Sequence, residues 1–284
     1  MSAADMTQTI KTLALNVRLS CKLLGVPESS YYERINRRPS ETQLRRQHLT
    51  LKIVQLFKAN RGIYGAPKIH HLLLDQGEKV GVKLVQKIMQ QLQLKSVVLK
   101  KFKPGHSASD GINRKNLRQN EPTERNKVWS TDITYIPTQQ GWSYLSTIMD
   151  YYTKKVIAWD LGKRMTVELV QRTLSKALKS QNYPEAVILH SDQGSQYTSH
   201  EYEDIIKHYG IAHSFSRKGY PYHNASLESW HGNLKREWVY QFKYKDFEEA
   251  YQSIFWYIEA FYNSKRIHQS LGYLTPNQFE KAIT

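Results

Sequence analysis

The sequence predicts an α/β fold: a five-stranded mixed sheet with flanking helices, preceded by all-α helix-turn-helix modules. Three observations predict it. Up to residue 98, apolar residues recur at the three- and four-residue spacing of amphipathic helices. From residue 127 onward, β-rich runs bounded by turn residues alternate with helical periodicity. Between them, residues 99–126 hold many basic residues and few large apolar ones, the composition of a linker. With 40% hydrophobic and 12% aromatic residues, the chain has the material for a packed core. No run of 18 apolar residues spans a membrane, and Met1–Leu13, with Lys11 as its only base, is no secretory signal. Cys21, the single cysteine, excludes a disulfide framework and a cysteine-clustered zinc site. A soluble cytoplasmic protein is expected.

The elements follow in order. Residues 12–24 read as a helix carrying Leu15, Leu19, Leu23 and Leu24, stopped by Gly25. Ser29 or Ser30 is expected to cap a short second helix through Tyr31, Tyr32 and Ile35, so residues 1–40 form a helix-turn-helix-like segment. Residues 41–98 form a second, better module. Its first helix, 41–58, places Leu44, Leu51, Val54 and Phe57 on a stripe. The loop 60–66 opens a helix at Pro67 that runs to Gly77, and a further helix covers about 82–92. Beyond the linker, 128–137, 142–150 and 155–161 read as a strand meander. Then come a helix at 166–180 with Thr166 as cap, a buried strand at 186–190, a helix at 199–209, a strand at 211–216, and helices at 224–240 and 246–263. Three strands, then helix, strand, helix, strand, helix, is the order of the ribonuclease-H-like fold, here over residues 127–284.

The net charge is +16, and it is not evenly spread. Residues 1–121 carry 22 basic residues against 8 acidic ones, and residues 122–284 carry 19 against 17. The first part therefore wants a polyanion, most simply the phosphates of nucleic acid. Lys83 and Lys87 share a face of the last helix of the second module, and Lys100, Lys101 and Lys103 stand in the linker. All five are candidate DNA contacts.

Three acids stand where acids are unexpected. Asp132 lies mid-strand in Trp129-Ser-Thr-Asp-Ile-Thr-Tyr135, although aspartate is depleted from strands. Asp192 directly follows a buried strand, and Glu228 sits in a helix beside Leu227, Trp230 and Leu234. The strand order makes the middle of the first strand and the end of the fourth neighbours. Carboxylates meeting there repel unless a cation is present, and an all-oxygen donor set suits Mg²⁺, with Mn²⁺ as substitute. A pair of ions, about 3.5–4 Å apart, serves phosphoryl transfer.

These residues resemble the DDE integrase core. The likeness is carried by Trp129 to Tyr135, by His190-Ser-Asp192-Gln-Gly-Ser-Gln-Tyr197, and by Asn224-Ala-Ser-Leu-Glu228-Ser, with 35 residues between Asp192 and Glu228. Other stretches resemble the IS-three family of bacterial insertion-sequence transposases in particular. They are Tyr64-Gly65, Ser216-Arg217-Lys218-Gly219, Leu234-Lys235-Arg236-Glu237 and Tyr262-Asn263 through Tyr273, then Thr275-Pro276 and Phe279. The likeness covers nearly the whole chain and points to the second-reading-frame product.

The resemblance implies that Asp132, Asp192 and Glu228 are the catalytic, metal-binding triad. It implies that Lys235, two turns after Glu228, touches DNA near the site, and Arg217 and Lys218 are further candidates for DNA contact. It implies nicking of element ends and joining of the freed 3′-hydroxyl to another phosphodiester. The partners implied are the terminal inverted repeats, target DNA, further protomers of this chain and possibly an upstream first-frame product, in a bacterial, nucleoid-associated setting. A catalytically silent DNA-binding regulator and a ribonuclease-H-like nuclease without strand transfer are the alternatives. His223 stands where the family usually has an acid. Arg266 and His268 hint at tyrosine recombinases, but the surrounding order of that family is missing. His190 is expected to be structural or to support Asp192, and Trp230, Tyr257, Phe261 and Tyr262 to be core.

Overall fold

The computed structural model describes residues 3–98, 115–117, 121–216 and 225–283. It divides into two compact units, Met1–Ala59 and Asn60–Thr284.

The first unit is helical: α1 (Ala3–Thr12), α2 (Val17–Leu24), α3 (Glu28–Asn36) and α4 (Glu41–Ala59). The single helix expected over 12–24 is two elements. α1 ends at Thr12, Ala14 turns at φ +48°, and α2 begins at Val17 because the Asn16 side chain accepts the Leu19 amide at 3.0 Å. The leucine stripe is not the core. Leu15, Leu19, Leu23 and Leu24 are all exposed, and Ile10, Cys21 and Tyr31 pack together instead, with Val17 and Ile35 against them. Ser29 and Ser30 lie inside α3, whose N-cap position is Pro27, so neither caps it. In α4 the buried residues are Leu49 and Ile53, while Leu44 and Leu51 are 52% and 68% exposed. Leu44 and Leu51 share a face that lies about 140° around the helix from Leu49 at about 100° per residue. Apolar spacing alone does not say which of two stripes is buried.

The second unit opens with a helix pair, α5 (Ala66–Asp75) and α6 (Val82–Gln91). Pro67 sits in the first turn of α5, and Ile69, Leu73, Val85, Ile88 and Met89 are buried. The sheet follows: β1 (Val128–Thr138), β2 (Gly141–Asp150), β3 (Val156–Gly162), β4 (Ile188–Ser191) and β5 (Ala212–Phe215), in the order β3-β2-β1-β4-β5. β1, β2 and β3 are antiparallel neighbours, and β4 and β5 run parallel to β1. This is the five-stranded mixed sheet that the sequence predicts.

One sheet face packs on α7 (Val167–Ser180) and α8 (His200–His208) through Trp129, Ile148, Leu174, Leu189, Tyr202 and their neighbours. Residues alternate along β1, so Thr131 and Ile133 face that layer and Ser130, Asp132 and Thr134 face the other side. There lie α9 (Ala225–Glu237) and α10 (Phe247–Phe255), both against β1. Thr166 occupies the N-cap of α7 without capping it; its hydroxyl serves Glu168, whose carboxyl is held below its ordinary value chiefly by that hydrogen bond. The helix expected through residue 240 ends at Glu237. The one expected over 246–263 widens into a π-helical turn at Trp256–Tyr262. A last helix, α11 (Pro276–Ala282), is fixed by a capping box between Thr275 and Gln278.

Residues far apart in sequence tie α5, α9 and the C-terminal segment together. The Tyr64 hydroxyl accepts the Ile267 amide at 3.0 Å, and Arg61 lies over the rings of Trp238 and Trp256. Arg266 reaches the Glu237 carboxylate with Nε at 2.8 Å and Nη2 at 2.6 Å, and the Tyr257 hydroxyl joins at 3.0 Å. Burial alone would push the Glu237 carboxyl up, but the Arg266 hydrogen bonds and charge hold it below its ordinary value. Burial, then the Arg266 charge, push Lys68 down to about 7 and His268 down to about 2. Arg266 and His268, the two residues reminiscent of tyrosine recombinases, are thus parts of this internal anchor. Asn263 pairs with both backbone groups of Val156 and so closes the sheet edge.

Glu237→Ala, which leaves a buried guanidinium uncompensated, is expected to cost about 3–5 kcal/mol of stability in urea unfolding. Glu237→Met combined with Arg266→Met is expected to cost less than Glu237→Ala alone.

Candidate active site

The site is built by a parallel strand pair. β1 and β4 run in register with Ser130 opposite His190, so the position two residues on brings Asp132 beside the residue that leaves β4, Asp192. Asp192 is in a turn: its Oδ1 accepts the Gly194 amide at 3.0 Å. Burial of its carboxyl first, and the Asp132 charge second, push it up to about 6 against that hydrogen bond. The two carboxylates therefore feel each other, as the strand order predicts.

Asp132 is held from two sides. Its Oδ1 accepts the Ile133 amide at 2.8 Å, and its Oδ2 lies 3.3 Å from His231 Nδ1 on α9. Lys235, one turn further along α9, is affected by the same carboxylate: burial lowers its pKa, and the Asp132 charge acts the other way. Glu228 is on α9 one turn before His231 and is exposed. Among the described residues, no three His, Cys, Asp or Glu side chains stand close enough together to hold a metal ion. The structure therefore brings Asp132 and Asp192 together, with Lys235 beside them, and leaves Glu228 outside a closed cluster.

The turn after β4 is anchored from beneath. Ser191 Oγ donates to the Asp192 carbonyl at 2.8 Å and pairs with His213 Nε2 at 2.9 Å, while His213 Nδ1 pairs with Glu203 at 2.8 Å. Ser191 is fully buried, so this serine, histidine and acid brace the backbone of the turn. His190 is structural: its two ring nitrogens pair with Ser214 and Ser216 at 2.9 and 3.0 Å. Trp230, Tyr257, Phe261 and Tyr262 are buried.

The basic candidates separate. Lys83 and Lys87 are exposed on α6. Lys100, Lys101, Lys103, Arg217, Lys218 and the unusual His223 lie outside the described residues. Sequence reasoning missed two features. One is His231. The other is a cleft of about 400 Å³ within the first unit, lined by Arg34, Arg37, Arg38 and Arg46 with Pro39, Gln43 and Gln47. The cleft had a signal in the arginine pairs 37–38 and 45–46. His231 had one in its spacing of three from Glu228 and four from Lys235.

Residues 122–221 match the integrase core domain family, residues 209–276 a second family of that description, and residues 44–102 an HTH-like domain. The chain is 38% identical over 250 residues to the transposase for insertion sequence element IS904 of Lactococcus lactis subsp. lactis, covering 87% of this chain and 99% of the relative. It is 33% identical over 270 residues to the transposase InsF for insertion sequence IS3A of Escherichia coli, covering 93% and 94%. Among solved structures, the magnesium complex of the HTLV-2 integrase catalytic core domain (dimeric form) aligns with a TM-score of 0.42 at 17% identity. That alignment covers 55% of this chain and 97% of that one.

A Cβ on Gly194 would lie 3.1 Å from Asp192 Oδ1 and 3.3 Å from Gln196 Oε1. Gly194→Ala is therefore expected to displace the Asp192 carboxylate and to lower DNA-nicking activity by up to about 100-fold, the scale of a 1 Å misplacement. The melting temperature should change little.

Proposed function

This chain belongs to the family of insertion-sequence transposases that includes the IS3 and IS904 proteins, and from that membership we propose how its site works. It is a DNA transposase that nicks the ends of its element and joins the freed 3′-hydroxyl to another phosphodiester. The observation that carries the assignment of the site is the β1–β4 register, which leads Asp132 to the exit of β4, where burial and then the Asp132 charge raise the Asp192 carboxyl. Two carboxylates pressed together are an oxygen donor set that suits a divalent cation such as Mg²⁺. Buried hydroxyls without partners among the described residues support this. Ser130 Oγ lies two residues before Asp132 on the same strand face, and Thr147 Oγ1 is on its cross-strand partner. Asp132, Asp192 and Glu228 would hold the metal, with Glu228 completing the set as α9 settles on DNA. Bound there, a pair of such ions would supply activation of an attacking hydroxyl and stabilisation of the leaving oxygen.

The chain's own residues do the rest. By holding the metal, Asp132 and Asp192 would fix where the scissile phosphate sits relative to the sheet. Lys235 places a positive charge beside them, where it meets a phosphate oxygen. The attacking group is first water and then the DNA 3′-hydroxyl. Both attacks gain mainly from alignment and charge. Residues 1–40 and 41–98 are the DNA-binding modules, through Lys83, Lys87 and the arginine cleft; residues 99–126, with Lys100, Lys101 and Lys103, are a basic linker; and residues 127–284 are the catalytic core, where Arg217 and Lys218 also approach DNA. The partners are terminal inverted repeats and target DNA, bound by several copies of this chain with or without a first-frame product. Among the described residues no helix is long and apolar enough to cross a membrane, in keeping with action on DNA in the bacterial cytoplasm.

The test is cleavage and joining of labelled element-end DNA with Mg²⁺. Wild type should yield nicked and joined products. Asp132→Asn, Asp192→Asn and Glu228→Gln should bind the DNA and yield neither product. Nicks without joining would identify a nuclease, and binding without nicks by the wild type would identify a regulator. Separately, Lys83→Ala with Lys87→Ala should weaken end binding and flatten its dependence on log salt by about 1 per lysine, with no change of sequence preference.

A further inference from the structure

The most constrained polar group on the active-site face of α9 is His231. Its side chain is 8% exposed, and its Nε2 is buried without a hydrogen-bond partner among the described residues. Burying an imidazole with one nitrogen unpaired is costly, so its other nitrogen must have a use. That nitrogen, Nδ1, stands 3.3 Å from Asp132 Oδ2. Glu228, His231 and Lys235 are three and four residues apart and share one helix face. The adjacent stripe, Leu227, Trp230 and Leu234, is buried and fixes the rotation of α9.

We propose that His231 is a positioning residue: its Nδ1–H donates to Asp132 Oδ2 and fixes the plane of that carboxylate for metal capture. Among the described residues, Asp132 accepts one backbone hydrogen bond, from the Ile133 amide on Oδ1. One hydrogen bond leaves a carboxylate free to swing about its χ2, and beside Asp192 it swings away from the like charge. The second tether from α9 removes that freedom. It also links the helix that carries Glu228 and Lys235 to the strand that carries Asp132, so capture of the ion and the seating of α9 become one event. Outer partners of metal-ligating carboxylates act in this way, and their loss typically weakens metal binding by about 10–100-fold.

This inference rests on the proposed metal site, and the test separates the two. Mn²⁺ alone, without DNA, is titrated into the full-length protein and followed by the paramagnetic resonance of the free ion. His231→Phe keeps the ring and removes the donor; His231→Asn keeps a donor near the position of Nδ1. The expected result is an Mn²⁺ affinity lowered by about 10–100-fold in His231→Phe and largely recovered in His231→Asn, with both variants melting as wild type does. End cleavage by His231→Phe should recover as Mn²⁺ is raised. Unchanged affinity in His231→Phe, while Asp192→Asn loses binding, overturns the role of His231 and leaves the metal site standing. Equal losses in Phe and Asn variants also overturn it, because they mark a packing role. Retained binding in Asp192→Asn overturns the metal site itself. If His231→Phe does not fold, the Asn variant decides against Asp192→Asn alone, and an Mn²⁺ affinity as low as that of Asp192→Asn overturns the proposal.

Discussion

Parallel pairing of β1 and β4 is the constraint on which the site depends. It is short, covering Val128 to Ser130 against Ile188 to His190, and its register places Asp132 beside the exit of β4. The chain then leaves the sheet at Asp192 rather than continuing, which puts a second carboxylate next to the first. Electrostatics opposes that placement, and packing enforces it.

 Leu189 and Trp129 are both fully buried against α7 and α8, so the register cannot slip without exposing them. The hydrogen bonds under the turn, from Ser191 through His213 to Glu203, hold the Asp192 backbone where repulsion would otherwise move it.

The second support is α9, which works as a two-sided element. One stripe is apolar and buried, and the stripe beside it carries Glu228, His231 and Lys235. Its C-terminal end is anchored at Glu237 by Arg266, Tyr257 and the charge of Lys68. The position of the catalytic face is therefore set as much by residues 64–68 and 257–268 as by the sheet. The C-terminal motif that resembles the bacterial family is explained by this structural work.

The sheet and the two aspartates were legible because their signals are local. Asp132 interrupts a β-rich run, Asp192 follows a buried one, and alternation in β1 assigns opposite faces. The faces of α2 and α4 were not legible, because each carries two apolar stripes and only packing chooses between Leu44 and Leu49, or between Leu19 and Cys21. α11 was legible in principle through Thr275-Pro276 and Gln278, which form a capping box. His231 had a signal only in its spacing from Glu228 and Lys235, and a histidine one turn from an acid is ordinary until the strand opposite it is known. Glu237 with Arg266 was hidden for a related reason: 28 residues separate partners that no periodicity connects.

The Glu237–Arg266 anchor also bears on the order in which the molecule is completed. During synthesis the helix that carries Glu228 and Lys235 leaves the ribosome well before Arg266 does, and so do Tyr64 and Lys68. Until residues 262–267 have emerged, Glu237 has no guanidinium, Tyr64 has no Ile267 amide, and the edge at Val156 has no Asn263. The last tenth of the chain thus closes three distant parts at once. A nascent or C-terminally clipped chain holds both aspartates of the site but lacks the fastening that sets its catalytic helix.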